Sequence, residues 1–396
     1  MSNSLAKVRE LLARLVAFDT TSSKSNLELI GFVRDHLTQE GIESTLVPSA
    51  GGQKASLFAT IGPEGAGGIG LSGHSDCVPV EGQSWASDPF TLTERDGKLY
   101  ARGACDMKGF LACVLASVPL FKAKALKEPL RIIVSYDEEV GCTGVRPLIA
   151  RLGKELPRPR AIIVGEPTMM AVIDAHKRID AFKTVVTGRE AHSSKPHLGV
   201  NAISVAAQLI GELDRIAVGL AGVADERFDP PHSTLQVGNI EGGTAPNIVP
   251  KSARFQWQVR SLPSADPLAV PKEFTAFAET LLPRMRGIAA DTGIETTHEG
   301  SVPPFLAKPN SGAVALALAL TGANTTQAVS YGTEAGLFEQ AGCPTVICGP
   351  GDIEQAHAAD EFVSLAQLEA CMTFLAKLAD GLSASTRDGE GGTGDA

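Results

Sequence analysis

Apolar residues recur at helical spacing over residues 5–18 and again over 26–39, where Gly41 ends the run, so the chain opens on two amphipathic helices. Residues 42–47, 56–61 and 69–72 read instead as strands. A long helix follows over 107–126, with Pro119 as the point where it can break. Then come an apolar strand at 130–134, a helix near 145–151 and a strand at 161–164. Strands alternating with helices predict a largely parallel sheet. The pattern then changes. Strands at 181–187, 233–240, 254–259 and 293–298 surround helices at 200–216 and 271–285. This βαββαβ order is the ferredoxin-like arrangement, whose alternating strands suit one covered and one exposed sheet face. After Pro303-Pro304 the α/β pattern resumes, with helices at 311–320, near 334–340 and at 365–378, and a strand at 344–348.

The expected fold is therefore α/β, with a first domain split into residues 1–178 and 299–382 on a mostly parallel sheet. An inserted ferredoxin-like α+β domain occupies 179–298, and residues 383–396, rich in Ser, Gly, Thr and Asp, form a disordered tail. At 396 residues the chain exceeds what a single core usually serves, which agrees with two domains. A formal charge of -10 without a Lys/Arg cluster argues against nucleic acid or an anionic membrane as partner. No apolar run reaches bilayer-spanning length, and the N-terminus lacks the regions of a signal peptide, so the expected compartment is the cytoplasm. Seven scattered cysteines, odd in number and without CxxC spacing, suit reduced thiols.

Chemistry enters at predicted strand ends. The run Ser135-Tyr136-Asp137-Glu138-Glu139-Val140-Gly141 follows the strand at 130–134, and its acids alone also suit a solvated turn or a helix's acidic first turn. His74 and Asp76, Asp106, Glu138 and Glu139, Glu166, and His357 all fall at such ends. Imidazole and carboxylate groups gathered from separate segments are what a catalytic Zn²⁺ or Co²⁺ site requires. Residues two apart in extended chain share a side, so Asp76 can accept a hydrogen bond from one ring nitrogen of His74 and leave the other for metal. Asp106 precedes the long helix, where it can also act as a cap. Gly65-Ala66-Gly67-Gly68-Ile69-Gly70 fits a dinucleotide fingerprint by letter, but it leads into a strand rather than a helix and reads as a hairpin turn.

The segments Gly73-His74-Ser75-Asp76, Arg102-Gly103-Ala104-Cys105-Asp106-Met107-Lys108-Gly109, Asp137-Glu138-Glu139-Val140-Gly141 and Gly165-Glu166-Pro167-Thr168 carry a resemblance. So do Gly188-Arg189-Glu190-Ala191-His192-Ser193-Ser194-Lys195-Pro196, Gly242-Gly243-Thr244-Ala245-Pro246-Asn247-Ile248-Val249-Pro250 and Gln355-Ala356-His357-Ala358-Ala359-Asp360-Glu361-Phe362. Together they resemble the co-catalytic metallopeptidase family that contains acetylornithine deacetylases, succinyl-diaminopimelate desuccinylases, glutamate carboxypeptidases and aminoacylases. Tyr331-Gly332-Thr333-Glu334-Ala335-Gly336-Leu337-Phe338 and the segment from Gly349 to His357 are most similar to the acetylornithine deacetylases.

The resemblance implies a zinc-exopeptidase-like catalytic domain and an inserted lid that serves dimerisation. It implies two zinc ions, with cobalt possible, held by His74 and Glu166 on one side and Glu139 and His357 on the other, with Asp106 bridging. It makes Glu138 the general base, has Asp76 support His74, and implies a cis peptide after Asp106. His192 would stabilise the oxyanion from the partner subunit of a homodimer, and Asn247 and Arg260 would bind the substrate carboxylate. The implied activity is removal of the acetyl group from N2-acetylornithine in arginine biosynthesis. Alternatives are desuccinylation of succinyl-diaminopimelate, action on another N-acyl amino acid, or a non-catalytic amino-acid-binding relative. For Glu334 and Glu354, within substrate-side motifs, and for Asp137 no role is assigned. His36, His197, His232 and His298 lack a motif and read as structural or exposed, and His176 is left open.

Overall fold

The computed structural model describes residues 2–383, with side chains from residue 4. The tail expected over 383–396 falls, apart from Ser383, outside the described residues. The elements that position the site are α1 (Ser2–Val16), α2 (Leu27–Gln39), β1 (Ser44–Pro48), β2 (Ala55–Ile61), β3 (Ile69–His74), α3 (Gly109–Ala123), β4 (Leu130–Ser135) and β5 (Ala161–Val164). Next come β6 (Arg178–Thr187), α4 (Ala202–Leu220), β7 (Thr234–Gly242), β8 (Ser252–Ser261), α5 (Ala269–Ile288) and β9 (Gly293–Val302). The chain then runs through α6 (Gly312–Thr321), α7 (Ala335–Gln340), β10 (Thr345–Ile347) and α8 (Leu365–Leu382). These fall into two compact units: Met1–Asp174, Ala307–Gln327 and Thr333–Ala396 form the first, and Ala175–Leu306 with Ala328–Gly332 form the second.

In the first unit, strands lie in the order β1-β2-β4-β3-β5-β10. The four inner strands β4, β3, β5 and β10 are parallel, whereas β1 and β2 run antiparallel at one edge, so the sheet is mixed. The inner strands are apolar and buried along their whole length, as strands covered on both faces must be. Because β4 lies between β2 and β3, the glycine-rich link Gly65–Gly70 is a crossover loop and not the expected hairpin. Gly68 sits at φ +81, and a Cβ there would meet the Pro129 carbonyl oxygen at 2.0 Å, which requires glycine.

Helix α3 packs into this core and carries Pro119 without a break. With the preceding turn it forms the run Ala104–Ala123, which, contrary to expectation, is long and apolar enough to cross a bilayer (mean hydropathy 1.5). Its surroundings explain the composition, since 83% of its 18-residue apolar stretch is buried, against α1, α8 and the sheet.

The second unit holds a four-stranded antiparallel sheet in the order β7-β8-β6-β9, with α4 and α5 supplying the helical layer. Element order and strand order together are ferredoxin-like. Its core stacks Phe182 on Trp257 at 4.2 Å between ring centroids, and Trp257 Nε1 donates to Thr184 Oγ1 at 3.0 Å. Alternation along β8, with Ala253, Phe255, Trp257 and Val259 buried, places the apolar set on the helix side.

Candidate active site and metal centre

Three neighbouring parallel strands end at one level of the sheet, because register pairs His74 with Ser135 and Ser72 with Val164. Their carboxyl ends deliver His74, the Glu138–Glu139 turn and Glu166, as open α/β sheets deliver ligand groups. Glycine makes room behind them. A Cβ at Gly73 would lie 2.9 Å from Leu111 and one at Gly165 would lie 2.2 Å from the Phe110 ring, so both glycines let the start of α3 press against the strand ends.

Asp106 reaches the same place from a π-type turn, Ala104–Lys108, whose Asp106–Met107 peptide is cis. It does not cap the helix, since the residue before α3 is Lys108 and makes no side-chain cap bond. The turn is held by Glu361, which sequence reading left without a role. Its carboxylate is 1% exposed and accepts the backbone N–H of Gly103 (2.9 Å), Cys105 (2.8 Å) and Asp106 (3.1 Å), and Arg102 Nη1 donates to it at 2.8 Å. A small three-stranded sheet of Thr93–Arg95, Lys98–Tyr100 and Phe362–Ser364, also not anticipated, brings Glu361 and His357 beside that turn. The only signal for Glu361 in the sequence was its place four residues after His357.

Asp106 stands between two imidazoles. Its Oδ1 is 2.9 Å from His74 Nε2 and its Oδ2 is 3.4 Å from His357 Nε2. His357 Nε2 also lies 3.0 Å from Glu139 Oε2, and His74 Nε2 lies 4.0 Å from Glu166 Oε1. Thus the five expected ligands come together in the first unit. Glu139 Oε1 and Glu166 Oε1 are buried without a hydrogen-bond partner. Orphaned carboxylate oxygens beside a shared carboxylate and two imidazole nitrogens fit hard to borderline divalent cations. His74, Asp106 and Glu139 each offer a donor atom within 4.8 Å of the others.

Asp76 departs from the expected contact. His74 Nδ1 faces the backbone carbonyl of Asp76 at 3.0 Å, with the carboxylate at 3.5 Å, because that carboxylate is engaged elsewhere. It accepts Ser22 Oγ at 2.7 Å and the backbone N–H groups of Glu138 at 3.2 Å and Glu139 at 3.3 Å. Asp76 therefore ties the His74 strand to the Glu138–Glu139 turn. Cys142 Sγ donates to Glu138 Oε1 at 3.3 Å, and Asp137 turns away at φ 53 to pair with Lys54.

Burial dominates the electrostatics. It raises Glu138 and Glu166 well above the usual carboxylate range, reinforced by neighbouring acids, and lifts Glu139 to about 7. Glu334, 1% exposed with Ser72 Oγ 3.5 Å from Oε2, is likewise pushed up to about 7 by burial. Burial opposes the charge on His74, yet the Asp106 carboxylate at its Nε2 and the Asp76 carboxylate near its Nδ1 outweigh it and raise His74. Hydrogen bonds to Asp106 and Glu139 lift the more exposed His357 to about 10.

The second unit holds the other expected residues. His192 is exposed, with Nδ1 2.7 Å from Ser194 Oγ, and it bridges Ile248 next to the exposed Asn247. Arg260 is half-buried on β8, donating from Nε to Gln258 Oε1 and from Nη1 to the Ser330 carbonyl, both at 3.2 Å. His298 pairs with Asp180 at 3.0 Å, and His176 packs against Phe305. Neither belongs to the metal cluster.

Comparison with known proteins agrees with this chemistry. The family model for peptidase family M20/M25/M40 matches residues 70–381. An acetylornithine deacetylase of Myxococcus xanthus is 37% identical over 391 residues, covering 95% of this chain and 98% of that protein. Among solved structures, an M20 family metallo-carboxypeptidase, Sso-CP2, from Sulfolobus solfataricus superimposes with a TM-score of 0.76 at 18% identity, over 96% of this chain and 99% of that one. The Bacillus subtilis YXEP protein, described as a dinuclear metal binding peptidase of the M20 family, gives 0.63 at 19% identity over 96% and 100%. With histidines and acids converging at the strand ends of a fold shared with these hydrolases, the chain belongs to peptidase family M20/M25/M40, as a metal-dependent amidohydrolase.

Proposed function

We propose that the protein hydrolyses the amide bond of N2-acetylornithine to give ornithine and acetate, acting as a cytoplasmic homodimer with two zinc or cobalt ions per chain. The Asp106 carboxylate, with one oxygen toward each of two imidazoles, carries the hydrolytic reading. The substrate is proposed from the full-length likeness to the Myxococcus deacetylase. His74 and Glu166 would hold one cation, Glu139 and His357 the other, and Asp106 both. Bound there, the pair supplies a water of lowered pKa and polarises the amide carbonyl.

The remaining work falls to side chains. Glu138, half-buried and next to Glu139, accepts the proton of the attacking water on its carboxylate and returns it to the departing amine nitrogen as the C–N bond breaks. Cys142 and Asp76 hold that residue in place through the thiol contact and the backbone amide bond. Asn247 and Arg260 bind the substrate carboxylate, which Arg suits by presenting parallel N–H groups. His192 of the partner subunit stabilises the oxyanion that forms on the carbonyl oxygen.

Purified protein should contain two metal ions per chain by elemental analysis and turn over N-acetylornithine faster than succinyl-diaminopimelate or other N-acyl amino acids. Glu138→Gln should retain the metal and lose about 10²–10⁴-fold in kcat. Full turnover by that variant would sink the mechanism, and preference for another acyl amino acid would reassign the substrate.

A further inference from the structure

We propose that Lys177 and Ser330 are positioning residues for Arg260, fixing its guanidinium as a receptor for the substrate's α-carboxylate. The inference rests on the reading of Arg260 given above and adds the apparatus that orients it.

Arg260 lies opposite Ile179 of β6 and Thr234 of β7. Gln258 Oε1 accepts its Nε and the Ser330 carbonyl accepts its Nη1, while Nη2 has no acceptor among the described residues. A guanidinium held at Nε and Nη1 presents its Nη1–Nη2 edge in one orientation, and that edge matches a carboxylate. Ser330 is itself held, because its Oγ donates to the Asp229 carbonyl at 2.6 Å. The loop it grips runs through Pro230 and Pro231 to His232. Lys177, 0% exposed, locks this loop by donating from Nζ to the carbonyls of Pro230 at 2.8 Å and His232 at 2.7 Å. The Phe228 ring lies 5.7 Å from the ammonium.

Burying an ammonium is expensive unless its donors are satisfied, and here backbone carbonyls satisfy it without neutralising it. A loop anchored by a neutral donor would avoid that cost. Instead a second positive charge is kept near Arg260, with Asp229 as the one acid acting on it, so Arg260, Lys177 and Asp229 together keep one net positive charge, which suits an anion.

The test uses the full-length, metal-loaded enzyme with two substrates: the N-acyl amino acid it turns over fastest and the α-carboxamide of that compound. Ser330→Ala, which removes the latch, and Lys177→Met should each raise KM for the acid about tenfold with kcat within about threefold. Neither should change kcat/KM for the carboxamide, and Ser330→Thr, which keeps the hydroxyl, should behave as wild type. Equal losses on both substrates would mark a merely structural role and overturn the proposal, as would wild-type KM in Ser330→Ala. If Lys177→Met does not fold, the Ser330 pair decides. Arg260→Lys separates the two levels. Should that variant still prefer the acid as strongly as wild type, the carboxylate reading of Arg260 fails. Should it lose the preference while Ser330→Ala keeps it, only the positioning role fails.

Discussion

Glu361 is all but shut off from solvent, yet three backbone amides and Arg102 converge on its carboxylate and so shape the turn that presents Asp106. Glu361→Gln keeps the size but removes the charge opposite a guanidinium that is itself 1% exposed. Breaking a buried pair in this way costs about 3–5 kcal/mol, and loss of such supporting partners typically weakens metal affinity about 10–100-fold. Chelator competition should show that loss. Asp137 gives the contrast. Its partner is Lys54, in a partly buried pair that contacts none of the ligand atoms, so Asp137→Asn should leave metal content at the wild-type level. Metal loss in Asp137→Asn would mean that the turn, and not only Glu139, depends on that pair. Asp137 and Glu139, two positions apart in sequence, thus differ by which way the backbone turns them, and φ 53 at Asp137 is the reason.

Between elements, the contact that matters most to the site is α3 against the strand ends. Gly165→Ala would drive a methyl group to within 2.2 Å of the Phe110 ring, so helix or strand must shift next to Glu166. Overpacking of this kind costs about 1–3 kcal/mol, readable as a lower urea midpoint at unchanged slope, with weakened metal retention alongside. Unchanged stability and metal content would show that α3 is free to slide. Most of this architecture could be read from the sequence because it rests on long periodic segments. The strand predicted at 130–134 is Leu130–Ser135, and 161–164 is found as Ala161–Val164. The ligands at those ends were legible for the same reason, as strand ends place charged residues where no core can absorb them. What escaped notice was short. Three strands of three residues each, Thr93–Arg95, Lys98–Tyr100 and Phe362–Ser364, are too brief for a period to show; the first two pair locally, but the third joins them across more than 250 residues of chain. Glu361 was illegible with them. The antiparallel pairing of β1 and β2 was missed because an alternation of strands and helices does not report direction at a sheet edge.

On the scale of the molecule, the acid cluster ties stability to pH and to metal. Without metal, burial lifts Glu139 from 4.5 to about 7, and hydrogen bonds lift His357 from 6.5 to about 10. A group whose folded pKa is raised stabilises the fold below its unfolded pKa, and that contribution is lost as pH climbs through the folded value. Both windows run the same way, whereas Asp106, which its imidazole partners hold low against burial, contributes a loss only in acid. Chelator-treated protein should therefore lose stability as pH rises from about 5 to 8. Bound metal needs deprotonated ligands and adds about 2.7 kcal/mol at a hundredfold excess over Kd, so the gap in Tm between loaded and stripped protein should widen over the same range. A gap that narrows would contradict the assignment of these acids as ligands. The cysteines carry a different consequence. All seven are free and buried, which shields them from reagent in the folded chain, and burial raises Cys77 to about 11 and Cys105 and Cys348 higher still, so these three offer almost no thiolate. Every one of them lies in the first unit, while the second contains Trp257 and no thiol. Alkylation by iodoacetamide then keeps time for one half of the molecule, and the fluorescence of Trp257, in a Trp85→Phe background, keeps time for the other. If the two clocks disagree under mild denaturant, the inserted unit opens on its own schedule.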